Sequence, residues 1–322
     1  MSNFSLGVVM DPIDTIVPAK DSTLAMLLAA QERGYEILYF EQADLRISDG
    51  EPWGTGRPLQ VRDSADDWHE FGDLIDICLG ELDVILMRKD PPFDTEYIYS
   101  TYILERAELA GALIVNRPAS LRDINEKVFT AWFADCCPET LVTRSIEQMR
   151  SFMRTHGKIV VKPLDSMGGH SIFVIDETDN NANVVFETLT DYGARSAMAQ
   201  RYIPEITAGD KRILLVDGEP APSVLARIPL AGDNRGNFVA GARAEVRPLT
   251  EQDRRICDRV GPILKDRGIL FAGLDIIGDY LTEINVTSPT GIRELVKLAD
   301  IDMAAKLMNA IEARVGTGRA RR

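Results

Sequence analysis

Histidine is scarce in this 322-residue sequence: only His69, His156 and His170, far apart along the chain. A histidine-based zinc site or a Ser-His-Asp triad has too little material here. Cysteine is scarce too. Cys78, Cys136, Cys137 and Cys257 show no CxxC spacing, so reduced thiols in a cytoplasmic protein are the expectation. No apolar run approaches the roughly 18 residues of a membrane span, which argues against a membrane partner. The opening residues MSNFSLGVVMDP lack a basic stretch followed by a long apolar core, so no signal peptide is expected there. Positive charge is in deficit, with 36 Lys and Arg against 50 Asp and Glu. A nucleic-acid ligand demands the opposite balance. Neither GxxxxGK[ST] nor GxGxxG occurs, which excludes the two common glycine fingerprints for nucleotides.

What remains is ordinary globular composition, 45% hydrophobic and 27% charged, in a chain long enough for two or three packed subdomains. The opening reads as strand, helix, strand: Leu6 to Met10, a helix capped by Asp21 and stopped at Gly34, then Glu36 to Phe40. That order predicts a parallel αβ layer. Short strands are expected near Leu45–Ile47 and Pro58–Val61, a longer one over Leu82–Met87, and a helix over Thr95–Ala110 with Ile98, Tyr102, Leu104 and Ala107 inward. A first domain boundary falls near residues 120–126. Beyond it the pattern predicts strands at 140–143, 158–163, 172–175, 197–203 and 213–216. Thr250 to Asp253 reads as a capping box for a helix with Ile256, Val260, Ile263 and Leu264 inward. A last helix is expected after Asp300.

One stretch carries the strongest chemical signal. In AGLDIIGDYLTEINVTSP, Gly278-Asp279 joins two strands. Glu283 and Asn285 are two residues apart and leave the same face, and Asp275 lies on the partner strand. Two carboxylates and an amide oxygen suit a hard cation such as Mg²⁺. The same alternation also describes a plain amphipathic hairpin. Lys162 ends a strand beside the loop LDSMGGHS, where Gly168 and Gly169 let a backbone approach phosphates, or simply turn a hairpin. Arg88-Lys89 follow a buried strand at the end where open sheets bind ligands, or are two solvated charges. The edge Ala197–Ile203 can read adenine through backbone groups. Residues 229–243, flanked and crossed by Arg227, Arg235 and Arg243, read as a mobile lid or a connector.

The order of these signals resembles the ATP-grasp superfamily, and the runs RKDPPFD, NRPASLRDINEKVFTAWF, VVKPLDSMGGHSIF, GDKRILLVDGEP and TEINVTSPT resemble the bacterial type of glutathione synthetase. The resemblance implies an α/β and α+β chain, an N-terminal parallel αβ layer (pre-ATP-grasp) followed by a two-subdomain ATP-grasp fold. It implies a substrate and oligomerisation domain over 1–123, a central lid subdomain over 124–203 and a catalytic subdomain over 204–322, with the ATP-grasp region at about 127–312. It implies ligation of γ-glutamylcysteine and glycine with ATP through an acyl phosphate, in a cytoplasmic homotetramer. Asp275, Glu283 and Asn285 would hold Mg²⁺ or Mn²⁺. Lys127, Lys162 and the Ser166, Gly168 and Gly169 loop would contact the nucleotide phosphates. Gln200, Arg201, Tyr202 and Ile203 would face adenine, and Asp210 the ribose. Arg212 would stabilise the transferred phosphoryl group. Arg88, Arg227 and Arg293 would bind substrate carboxylates, and glycine would enter a small pocket near Ser288 to Gly291. The alternatives are another ATP-grasp ligase, such as a D-alanine–D-alanine ligase, or an ATP-binding regulatory module without catalysis.

Overall fold

The computed structural model describes residues 4–230 and 241–319, with side chains to 316. Arg235, and with it the centre of the expected lid at 229–243, lies outside the described residues.

The N-terminal unit runs β1 (Ser5–Val9), α1 (Ser22–Glu32), β2 (Glu36–Phe40), β3 (Leu45–Ser48), β4 (Glu51–Val61), β5 (His69–Phe71), β6 (Ile75–Cys78), β7 (Val84–Met87), α2 (Thr95–Ala110), β8 (Leu113–Val115) and α3 (Pro118–Asp123). Asp21 caps α1, its carboxylate accepting from the Leu24 amide at 2.6 Å. The expected parallel layer is present as β2-β1-β7-β8. It is extended by an antiparallel wing in which β4 pairs with β2, β3, β5 and β6.

The expected short strand at Pro58–Val61 is the end of the much longer β4. Pro52, Gly54, Gly56 and Pro58 look like turn residues. The glycines serve packing instead: a Cβ at Gly56 would lie 2.4 Å from the Phe40 ring, and one at Gly54 2.7 Å from it. The inward face of α2 is also rotated from expectation. Tyr97, Ser100, Thr101, Leu104 and Ala107 are buried, whereas Tyr102 is exposed beneath the Arg122 guanidinium.

The middle unit holds β9 (Thr140–Thr143), α4 (Ile146–His156), β10 (Lys158–Pro163), β11 (Phe173–Asp176), α5 (Ala182–Thr190) and β12 (Ala197–Arg201). Its antiparallel sheet, ordered β11-β10-β12-β9, packs against the two helices around Met149, Phe186, Ile159 and Val161.

The last unit comprises β13 (Asp210–Val216), β14 (Glu219–Pro220), β15 (Ser223–Ile228), β16 (Arg243–Pro248), α6 (Glu251–Asp266), β17 (Phe271–Ile277), β18 (Tyr280–Asn285), α7 (Ile292–Ala299) and α8 (Met303–Arg319). Its antiparallel sheet is ordered β16-β15-β13-β17-β18. The Thr250–Asp253 capping box forms as the pattern implies. Ile263, expected inside, is 37% exposed. Asp300 does not cap the last helix. It closes the unforeseen α7 in a left-handed conformation, and the Asp302 carboxylate accepts from the Ala305 amide instead.

Asn116 fastens the first unit to the last. Its amide nitrogen donates to the carbonyls of Phe271 and Val286, both at 2.7 Å, and its oxygen accepts from the amides of Leu270 and Phe271 at 2.8 and 2.9 Å. All lie in the interior. Asn116→Ala strands four backbone groups, so a loss of about 3–4 kcal/mol is expected. Denaturant titration of the variant checks it; an unchanged midpoint would remove Asn116 from this role. A second close approach lies between α6 and the β13–β14 turn. A Cβ on Gly261 would sit 2.2 Å from the Gly218 carbonyl oxygen, and backbone cannot swing aside. Gly261→Ala is expected to cost about 1–3 kcal/mol, read as a lowered thermal midpoint.

Candidate active site

Strand pairing builds one charged face. Asp210 lies opposite Arg227 across β13 and β15. Two residues further along β13, and so on the same face, Arg212 lies opposite Asp275, which in turn lies opposite Glu283 on β18. The result alternates in sign: Arg212 Nε and Nη2 grip the two Asp275 oxygens at 2.8 and 2.7 Å, and Arg227 Nη2 reaches Asp275 Oδ2 at 2.9 Å and Asp210 Oδ2 at 2.5 Å. Beyond Asp275 the register shifts, and Thr282 is the extra residue of a bulge. The bulge leaves the Thr282 carbonyl free to accept from Lys162 Nζ at 3.3 Å. The segment before β9, packed on the last sheet, supplies Lys127, whose Nζ meets Glu283 at 2.8 Å and the Ser166 carbonyl at 2.6 Å.

All of these groups but Lys127, which stands behind Glu283 and outside the walls, line a cavity of about 340 Å³ between the middle and last sheets. Its walls include Lys162, Gly168 and Gly169 on one side, Gln200 to Ile203 on a second, and Asp210, Arg212, Arg227, Asp275, Glu283 and Asn285 below. The volume is in the range of small-molecule sites.

Burial opposes ionisation throughout, and the partners decide the outcome. For Asp275 burial is overcome by Arg212 and Arg227, which hold the carboxyl well below its usual range. Glu283 is likewise buried yet lowered, by Lys127 and Lys162. Asp210 loses this contest: burial, with the Asp275 charge beside it, outweighs Arg227 and lifts it to about 7. Burial also lowers Lys162.

Not every expected residue reaches the cavity. Arg293 lies outside its walls, on α7, and is held by Asp63 at 3.0 Å. Arg88 is buried behind the wall, its Nη2 donating to the Pro289 carbonyl at 3.1 Å. Ser166 bonds within its own loop and lines a neighbouring cavity. The Arg201 side chain turns away to Glu139 and stacks on Tyr280, and its amide donates to the Glu139 carbonyl. β12 is paired by β10 and β9 on either side, so the open edge expected over Ala197–Ile203 is closed as far as Gln200. Asp210 gives one oxygen, Oδ2, to Arg227 and keeps the other towards the cavity.

Sequence reasoning missed Glu126. One oxygen, Oε1, accepts from the Val286 and Thr287 amides at 2.7 and 2.9 Å and from the Thr287 hydroxyl at 2.9 Å. These partners are some 160 positions away, and no local spacing announces them. Asp90 was read only as part of a loop. Its carboxylate takes the Ser288 hydroxyl.

The donor set fits a divalent cation. It contains oxygen and no sulfur or imidazole, and Asp275 and Glu283 are direct cross-strand neighbours. The Asn285 amide nitrogen is spent on the Gly273 carbonyl, leaving its oxygen for another partner. Asp210 Oδ1 and Arg227 Nε are buried without hydrogen-bond partners among the described residues. Such orphans mark a place where a ligand completes the set.

Solved structures share this architecture over almost the whole chain. The D-cycloserine synthetase DcsG superposes with a TM-score of 0.68 at 14% identity, covering 97% of this chain and 99% of its own. The D-alanyl-alanine synthetase A of Vibrio cholerae gives 0.60 at 12%, covering 98% and 99%. The ATP-grasp ligase PsnB gives 0.64 at 16%, covering 97% and 98%. The fold is therefore that of the ATP-grasp enzymes, preceded by the N-terminal αβ layer. The D-alanine ligase alternative is represented here by fold likeness alone.

Sequence likeness is far closer to one family. Residues 4–122 match the model of the prokaryotic glutathione synthetase N-terminal domain, and residues 126–300 that of its ATP-grasp domain. The glutathione synthetase of Shewanella oneidensis is 58% identical over 97% of this chain and 99% of its own. That of Escherichia coli O6:H1 is 59% identical over 96% and 98%. This chain belongs to the prokaryotic glutathione synthetase family: it is an ATP-dependent ligase of glutathione biosynthesis, and the family uses a divalent metal.

Proposed function

We propose that the cavity is where ATP phosphorylates the cysteinyl carboxylate of γ-glutamylcysteine and where glycine captures the resulting acyl phosphate. The observation that carries this reading is the ladder of Arg227, Asp210, Arg212, Asp275 and Glu283 on one sheet face, with two lysines set opposite. A carboxylate is a poor acyl donor because oxide is a poor leaving group. Phosphoryl transfer replaces oxide by phosphate and needs fixed cations at the developing charge rather than a protein nucleophile. Burial raises the Cys137 and Cys257 thiols to about 12, which leaves them inert as nucleophiles.

Asp275, Glu283 and Asn285 would hold Mg²⁺, or Mn²⁺, which when bound neutralises charge on the phosphate oxygens. Lys127 and Lys162 take phosphate oxygens in exchange for Glu283 and the Thr282 carbonyl. Gly168 and Gly169, both at positive φ, let the loop backbone approach the phosphates. The backbone of Gln200 to Ile203 meets adenine, with Asp210 towards the ribose. Arg212 faces the transferred phosphoryl group and the tetrahedral intermediate, and Arg227 and Arg88 take substrate carboxylates. Arg293 supports the site only through the first unit, by way of Asp63.

The units divide on this reading as 1–123 for substrate and assembly, 124–203 over the nucleotide and 204–322 for catalysis. Exposed Tyr99, Tyr102 and Leu109 on α2 give the first unit an apolar face suited to a homotetramer contact. The setting we assign is cytoplasmic.

The test is direct. With ATP, Mg²⁺, γ-glutamylcysteine and glycine, the protein should release one phosphate for each glutathione formed. Phosphate release that requires D-alanine, or none with any amino acid, would overturn the reading.

A further inference from the structure

The turn between β17 and β18 would not, by itself, bring Asp275 and Glu283 together. The two-residue loop at Gly278-Asp279 sets Ile277 opposite Tyr280 and Ile276 opposite Leu281. Continued without interruption, that register would set Asp275 opposite Thr282 and Leu274 opposite Glu283. Glu283 would then leave the face of Leu274, which is 0% exposed and part of the apolar core. Instead Asp275 pairs with Glu283, Leu274 with Ile284 and Gly273 with Asn285. Period two keeps Glu283 and Asn285 on one face; the one-residue shift at Thr282 turns that face towards Asp275, Arg212 and the cavity.

Thr282 holds the shift through its own side chain. Its hydroxyl donates across the strands to the Asp275 carbonyl at 3.0 Å, in the interior. Its carbonyl accepts from Lys162 Nζ at 3.3 Å. The residue is 7% exposed and lines the cavity. On either side the strand is fixed by other means. The turn holds Tyr280 and Leu281, and the Ile284 amide donates to the Glu126 carbonyl at 2.9 Å. The Asp275 carboxylate is gripped by Arg212 and Arg227, and that of Glu283 by Lys127. The local geometry of the extra residue therefore governs how the two carboxylates stand to one another and where the lysine ends.

We infer that Thr282 is a positioning residue for the ligase reaction. The bond from its hydroxyl to the Asp275 carbonyl sets the Asp275–Glu283 spacing that a divalent cation meets, and its carbonyl sets Lys162 for phosphate oxygens. Small divalent cations tolerate little error in the placement of their oxygen ligands. The inference rests on the metal and nucleotide roles proposed above. A threonine that merely stabilised the hairpin would be buried in the same way, but changing it would leave metal affinity alone.

Binding of Mn²⁺ to the full chain in the presence of ADP, followed by loss of the free-ion EPR signal, reads the site without turnover. Thr282→Val keeps the shape and the β-branching and removes the hydroxyl, so the fold should hold, as a thermal melt would verify. Its Kd for Mn²⁺ should rise about tenfold, the scale of one lost buried hydrogen bond or outer-shell partner. The Mg²⁺ concentration giving half-maximal phosphate release should rise in parallel. Thr282→Ser keeps the hydroxyl and should stay within about threefold of the parent in both measurements. A folded Thr282→Val protein that binds Mn²⁺ as the parent does overturns the inference, and so does a Thr282→Ser protein as impaired as Thr282→Val. Should Thr282→Val fail to fold, Thr282→Ala makes the same comparison, since it too lacks the hydroxyl. The metal reading fails separately, if the unmodified protein takes up no Mn²⁺ beside ADP, and the ligase reading if it releases no phosphate in response to glycine.

Discussion

Glu283→Gln should give a folded protein whose turnover falls on the order of 10²–10³-fold. The carboxylate pairs with Lys127 at 2.8 Å and stands opposite Asp275, between the lysine and the second carboxylate proposed to hold the metal. Glutamine keeps the shape and one acceptor oxygen, which preserves a neutral contact with Lys127. It removes the charge that a divalent cation requires. The metal concentration giving half-maximal rate should rise together with the fall in kcat. Phosphate release measured across a Mg²⁺ titration reads both quantities. Wild-type kinetics in the variant would exclude Glu283 as a metal ligand.

Arg212→Ala should have an effect of similar size but a different signature. Its guanidinium spans both Asp275 oxygens, and the pair is buried. In the role proposed above the same cation would face the transferred phosphoryl group and the tetrahedral intermediate, a contact made only as the reaction proceeds. Loss of an interaction made in the transition state lowers kcat and kcat/KM together. A drop of about 10²–10³-fold in kcat is expected, with little change in ATP affinity. Arg227 remains at 2.9 Å from Asp275, so the carboxylate is not left unpaired and the fold should survive. Comparison of nucleotide titration with initial rates separates the cases. Weakened ATP binding with kcat intact would make Arg212 a ground-state contact.

The hairpin shows how far local spacing reaches. Gly278-Asp279 turns as its residue types demand, and Asp275, Glu283 and Asn285 share a neighbourhood because strands alternate with period two. The α1 cap at Asp21 and the box at Thr250 and Asp253 were equally legible, since a cap is a contact across three residues. Errors arose where the deciding partner was remote. Gly54 and Gly56 marked no turn; they make room for Phe40. Asp300 had the chemistry of a cap but closes the preceding helix. Arg293 is paired across to Asp63.

The sequence alone determined the order of the main strands and helices, though not β5, β6 or α7, the shortage of cysteine, histidine and positive charge, and which oxygen and nitrogen side chains were in stock. These follow from composition and from backbone periodicity, which act within a few residues. Only the tertiary structure decided which charge faces which: Arg212 and Arg227 both on Asp275, Lys127 on Glu283, Arg293 turned away, and Glu126 locked to a segment some 160 positions distant. Burial sets the cost of leaving such groups unpaired, and burial belongs to the packed sheets rather than to any single stretch of chain.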